Sequence, residues 1–175
     1  MVERTQLTAR TEPLKEPAIV SGAERLRAAG HWLLGAAPDL AQSRFEWGEG
    51  DVTFLRCGGL FTAISMRRAI VHAAADSASP RLVDGFLEEA FDGGPVIAAY
   101  GLDPYYALVP ASTAFRWAEP GAQCLPSRQL LTVPPVDRST YENRASYWPV
   151  PMRPGALLAS LTLRRWWSPS SSPTR

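Results

Sequence analysis

Few residues in this chain have the types and spacing that catalysis requires. The two histidines, His31 and His72, fall in segments of helical pattern, and neither has a carboxylate or cysteine at ligand spacing. The two cysteines, Cys57 and Cys124, are far apart and form no CxxC pair. No GxSxG elbow, phosphate loop or GxGxxG run occurs. Asp51 precedes a strand-like run and Asp103 sits beside Pro104 in a turn, so each reads as a turn or cap residue. No Asp-x-Asp or Glu-x-Asp pair lies on an expected strand, and converging carboxylates are what a two-metal site needs. The residues therefore point to no catalytic residue, no metal ligand and no cofactor.

Binding chemistry is better represented. Arg138 follows Pro134-Pro135 and Asp137 at a strand exit, where its forked donors could meet a phosphate or brace the loop. Arg56 and Arg128 flank other strand-like runs. Tyr105, with Tyr100 and Tyr106, lies on an expected hairpin, and an aromatic exposed on a sheet can stack a base. Trp166 and Trp167, preceded by Arg164-Arg165, could form a basic aromatic edge that docks on a partner. The net charge is only +1, but residues 1–100 hold ten Lys/Arg against thirteen Asp/Glu, whereas residues 101–175 hold eight against four. A basic C-terminal half favours an anionic partner through long-range attraction.

These side chains must be positioned by elements that the pattern suggests. The composition, 46% hydrophobic and 20% charged, suits one soluble domain. Residues 1–20 read as a flexible arm, 21–167 as a single domain and 168–175 as a disordered Ser/Pro tail. Ser21, with Glu24 three residues later, starts a helix that ends at Gly35 and buries Leu26, Ala29, Trp32 and Leu33. Asp39 to Phe45 suggests a further helical turn. Val52–Cys57 and Leu60–Ser65 flank Gly58-Gly59 and predict a hairpin, the glycines serving the turn rather than a phosphate. Met66–Ala75, capped by Ser65, and Arg81–Phe91, with Leu82, Phe86 and Leu87 inward, read as helices. A second hairpin is expected from Pro95–Tyr100 and Tyr105–Pro110, and a last strand at Gln129–Val133. Val136–Arg153 reads as a loop and Pro154 to Trp167 as a closing helix. The sum is an α+β domain with helices on one face of a mainly antiparallel sheet.

Five stretches in order carry a resemblance. They are Cys57-Gly-Gly-Leu-Phe61, Gly94-Pro-Val-Ile-Ala-Ala-Tyr100, Tyr105-Tyr-Ala-Leu-Val-Pro110, Leu130-Leu-Thr-Val-Pro-Pro-Val-Asp-Arg138 and Tyr147-Trp-Pro-Val-Pro-Met-Arg-Pro-Gly155. From about Gly50 to Leu163 the chain resembles the small stand-alone proteins of GC-rich bacteria related to the N-terminal domain of bifunctional DNA primase/polymerases. The resemblance implies a primase-polymerase-like core around an RRM-like sheet. It also implies strand carboxylates for divalent metals and a histidine for the incoming nucleotide. The position after Phe61, often Asp in that family, is Thr62 here. A neutral hydroxyl has no charge to hold a divalent cation, so the expectation is a degenerate relative.

Two functions follow as expectations. One is a non-catalytic binding or scaffolding module for a protein partner or for a second copy of itself, with Trp166 and Trp167 as partner-binding residues. The other is a nucleic-acid or nucleotide-binding accessory factor using Arg56, Arg128, Arg138 and Tyr105 on DNA or RNA. No apolar run approaches the ~18–20 residues of a membrane span, so no membrane partner and a cytoplasmic location are expected.

Overall fold

The computed structural model describes residues 21–142, 145–153 and 157. The expected arm over 1–20, the tail from 168, and the closing helix over 154–167, apart from Leu157, lie outside the described residues.

Helix α1 spans Gly22–Leu34 and opens with the expected capping box. The Ser21 hydroxyl accepts from the Glu24 amide at 3.2 Å, and the Glu24 carboxylate accepts from the Ser21 amide at 2.7 Å. Asp39 caps α2, Leu40–Gly48, by accepting from the Gln42 amide. Strands β1 (Thr53–Arg56) and β2 (Phe61–Met66) follow, then α3 (Arg68–Ala74) and α4 (Pro80–Ala90). Among the described residues the remaining strands are β3 (Val96–Ala98), β4 (Tyr105–Pro110), β5 (Ala122–Cys124), β6 (Leu130–Val133) and β7 (Tyr147–Val150).

The strands form two sheets. A five-stranded sheet runs β5-β2-β4-β3-β7, antiparallel at every pairing, and β1 pairs antiparallel with β6 in a separate ribbon. The fold is therefore α+β, with β3 and β4 forming the expected second hairpin. Alternation sorts the core into two layers. Ile64, Met66, Val96, Tyr105, Ala107 and Val109 pack beneath Val71 of α3 and Val83 and Leu87 of α4. On the opposite side, Phe61, Ala63, Ile97, Leu108 and Trp148 meet Ala29 and Leu33 of α1 together with Leu55 and Val133 of the ribbon. Helices on a single face were expected. Instead α3 and α4 cover one face, and α1 with the ribbon covers the other.

Several local expectations change for identifiable reasons. β1 and β2 do not pair with each other: β2 is flanked by β4 and β5, so neither of its edges is left for β1. Gly58-Gly59 instead carries the chain from the ribbon into the sheet. Gly58 has φ +95°, and an added Cβ would collide with the Ser127 hydroxyl oxygen and lie 2.7 Å from its Cα, so the turn tolerates only glycine there. Ser65 belongs to β2 rather than capping α3. The Asp103 carboxylate, reaching from the β3–β4 turn, accepts from the Arg68 amide at 3.1 Å instead. On α4 the buried stripe is Val83 and Leu87, with Phe91 just beyond, whereas Leu82 is exposed. β5 has only three residues, and β7 contains Pro149 and an irregular register against β3, both features of edge strands that weaken a pattern-based reading.

Candidate functional site

Thr62 occupies the position where the resemblance places a metal-binding acid. It is fully buried, and its hydroxyl donates to the Leu125 carbonyl at 2.8 Å. A carboxylate there would face that carbonyl oxygen with only the weak thiol donors of Cys57 and Cys124 to offset the repulsion. The nearby thiols are poor nucleophiles. Burial pushes Cys57 up to about 11, and burial also raises Cys124.

The titratable groups beneath α3 and α4 are knitted into the core. His72 Nε2 lies 3.1 Å from the Tyr105 hydroxyl, and the Tyr147 hydroxyl donates to Asp84 Oδ1 at 2.8 Å. Burial lifts the Asp84 carboxyl to about 6, although the Tyr147 hydrogen bond opposes that rise. Burial also lowers His72, with Arg68 adding to the effect, and raises the Tyr105 and Tyr147 phenols. Among the described residues no buried side-chain nitrogen or oxygen lacks a hydrogen-bond partner, so this cluster reads as a satisfied core network. Tyr105, expected as a stacking residue, is fully buried and offers no ring face to a base. The exposed tyrosine of this hairpin is Tyr100.

Arg138 is also committed locally. Its guanidinium donates to the Gly50 carbonyl, its amide to the Pro135 carbonyl, and its own carbonyl accepts from the Trp148 amide. Trp148 Nε1 in turn reaches the Pro134 and Pro135 carbonyls, at 3.3 and 3.1 Å. This is the loop-bracing alternative for Arg138, and it leaves the residue apart from the other two arginines.

Those two come together. In the ribbon Arg56 stands opposite Leu130 and Phe54 opposite Thr132. The ladder extends beyond the strands, since the Cys57 carbonyl accepts from the Arg128 amide. Leu55, Cys57, Leu131 and Val133 face the core, so strand alternation turns Phe54, Arg56, Leu130 and Thr132 outward. Arg56, Arg128, Leu130 and Pro38 line a cleft of about 430 Å³. Phe54 and Leu130 are 51% and 46% exposed, high values for residues whose strand neighbours are buried. Neither Arg56 nor Arg128 has an ion-pair partner among the described residues. Arg128 holds a left-handed backbone, φ +71°, which disfavours a side chain by about 1–2 kcal/mol. Phe54 and Leu130 could have been suspected only from their phase in each strand, once the pairing was known. Trp166 and Trp167 lie outside the described residues.

Among the described residues no helix is long and apolar enough to cross a membrane. In comparisons with protein-family models, curated proteins and solved structures, nothing matches this chain.

Proposed function

We propose that this chain is a non-catalytic binding module that captures an acidic, partly apolar segment of a protein partner on the outer face of the ribbon. One observation carries the reading. Both faces of the five-stranded sheet are spent on the core, while the ribbon presents two arginines without ion pairs beside exposed Phe54 and Leu130. Apolar anchors supply affinity, and the arginines select negative charge and orient the approach. In this reading the chain is a primase-polymerase-like relative in which Thr62 serves packing rather than metal binding.

The alternative, nucleic-acid binding, draws on the same arginines beside an aromatic ring, the pairing used for single strands. Two cations neutralise about two phosphates and give a salt slope of about −1.4 on a single strand, too shallow for tight binding without many more contacts. The protein reading is therefore preferred. Fluorescence polarisation separates the two. A labelled peptide alternating glutamate and leucine should bind, with Arg56→Glu weakening it at least about tenfold. A thymidine oligonucleotide that binds more tightly than the peptide, with a steep salt dependence, would transfer the ribbon to nucleic acid. Light scattering on the unliganded chain decides whether the partner is a second copy.

A further inference from the structure

A second surface, formed by other elements, has a different chemical character. On α1, Leu26, Arg27 and Leu34 recur at helical spacing, and on α2, Arg44 and Trp47 do the same. With Val136 from the loop after β6, they line a groove of about 510 Å³. Trp47 is a fixed wall, because its indole Nε1 donates to the Val133 carbonyl at 3.2 Å. Gly30 of α1 faces the same wall: a Cβ added there would sit in ordinary contact, 3.4 Å from a Val136 methyl and 3.7 Å from the Trp47 ring. Leu34 is nearly buried, whereas Arg27 and Arg44 are exposed, and neither arginine has an ion-pair partner among the described residues.

We propose that this groove is a ligand site for a small anionic amphiphile, a monocarboxylate with an aliphatic or aromatic body. The volume lies within the roughly 300–1,000 Å³ range of small-molecule sites, and mostly apolar walls with a few polar groups are their usual lining. The two arginines match a carboxylate, which guanidinium donors bind in forked geometry. The far side limits the charge of the ligand. Trp47, Pro135 and Asp137 are shared with an adjoining polar cleft of about 390 Å³ that also contains Glu142 and Arg138. The Arg138 guanidinium is turned to the Gly50 carbonyl, and the Asp137 and Glu142 carboxylates outnumber it, so a second negative charge on the ligand is disfavoured and monoanions are selected over dianions. The site is separate from the ribbon and does not depend on what the ribbon binds.

The test uses the full chain and anilinonaphthalene sulfonate, a fluorescent anionic amphiphile, as the probe. Octanoate, decanoate and dodecanoate should displace it in that order, each added methylene strengthening competition about three- to fourfold. An alkyltrimethylammonium of matching length should compete at least about tenfold more weakly than the carboxylate. Arg27→Glu/Arg44→Glu should weaken probe binding at least about tenfold, and Arg27→Lys/Arg44→Lys should give binding between the two, keeping the charge but losing the fork; both residues are exposed, so neither change disturbs the core. Arg67→Glu/Arg81→Glu, at exposed positions beside α3 and α4 that line neither surface, should leave the titration unchanged. Equal binding by the charge-reversed and native chains, or equal competition by the cationic amphiphile, would overturn the proposal. A native chain that binds no probe would overturn it too.

Discussion

Single residues separate structural duty from binding duty. Thr62→Asp places a buried charge against the Leu125 carbonyl with only thiols beside it and should destabilise the fold by at least about 3 kcal/mol, read as a lower urea midpoint that added magnesium does not restore. Gly58→Ala should be nearly as severe, at about 3 kcal/mol, because left-handed strain adds to the clash with Ser127. Arg128→Gly has the opposite profile. It relieves the positive φ, so stability should stay within about 1 kcal/mol of the native chain while peptide binding falls. Asp84 sets a pH signature. Its folded value, about 6, lies above its ordinary 3.8. Below 3.8 the carboxyl is neutral whether the chain is folded or unfolded, and no stability is lost. Between 3.8 and about 6 the unfolded chain ionises first, so stability falls as pH rises, and the full cost persists above about 6. Asp84→Asn should therefore stabilise the protein at neutral pH by on the order of 1 kcal/mol, a figure reduced for partial solvent screening, and make little difference near pH 4. Lowered His72 works in the opposite sense, costing stability as pH falls through its ordinary 6.5, so the comparison with Asp84→Asn isolates the carboxylate.

At the scale of elements, local signals were legible and long-range pairing was not. The Ser21–Glu24 capping box, the helical turn after Asp39 and the β3–β4 hairpin all rest on neighbours within a few residues, and each follows from local pattern. The partner of β1 does not. Val52–Cys57 alternates well enough to pair with any strand that offers an apolar face, and its glycine turn made β2 the nearest choice. What decides the matter is that β2 is already paired on both sides while Leu131 and Val133 need a partner. The same pairing hides the candidate site. Arg56 and Arg128 could be singled out as cations, but only the β1–β6 ladder makes them neighbours, and only its phase exposes Phe54 and Leu130. Tyr105 fails as a stacking residue for a related reason: α3 and α4 cover the face to which its side chain points. Because Phe54 and Leu130 are outward, Phe54→Ala/Leu130→Ala should change stability by less than about 1 kcal/mol yet abolish peptide capture. Melting curves beside polarisation titrations would check both halves.

At the scale of the whole molecule, the layered fold narrows what can bind. A central sheet closed on both faces offers no open platform, so recognition falls to the periphery, the ribbon on one side and the α1–α2 groove on another. Both surfaces pair apolar side chains with arginines on a chain whose net charge is only +1. Under the proposed binding roles, selectivity for acidic partners would come from local placement rather than from the global field. The measurement that bears most directly on this account is an amide NMR titration of the full chain with the glutamate–leucine peptide. The account predicts shifts that saturate and cluster at Phe54, Arg56, Arg128 and Leu130, and that vanish in Arg56→Glu/Arg128→Glu. Shifts centred elsewhere on the surface, or none at all, would contradict it.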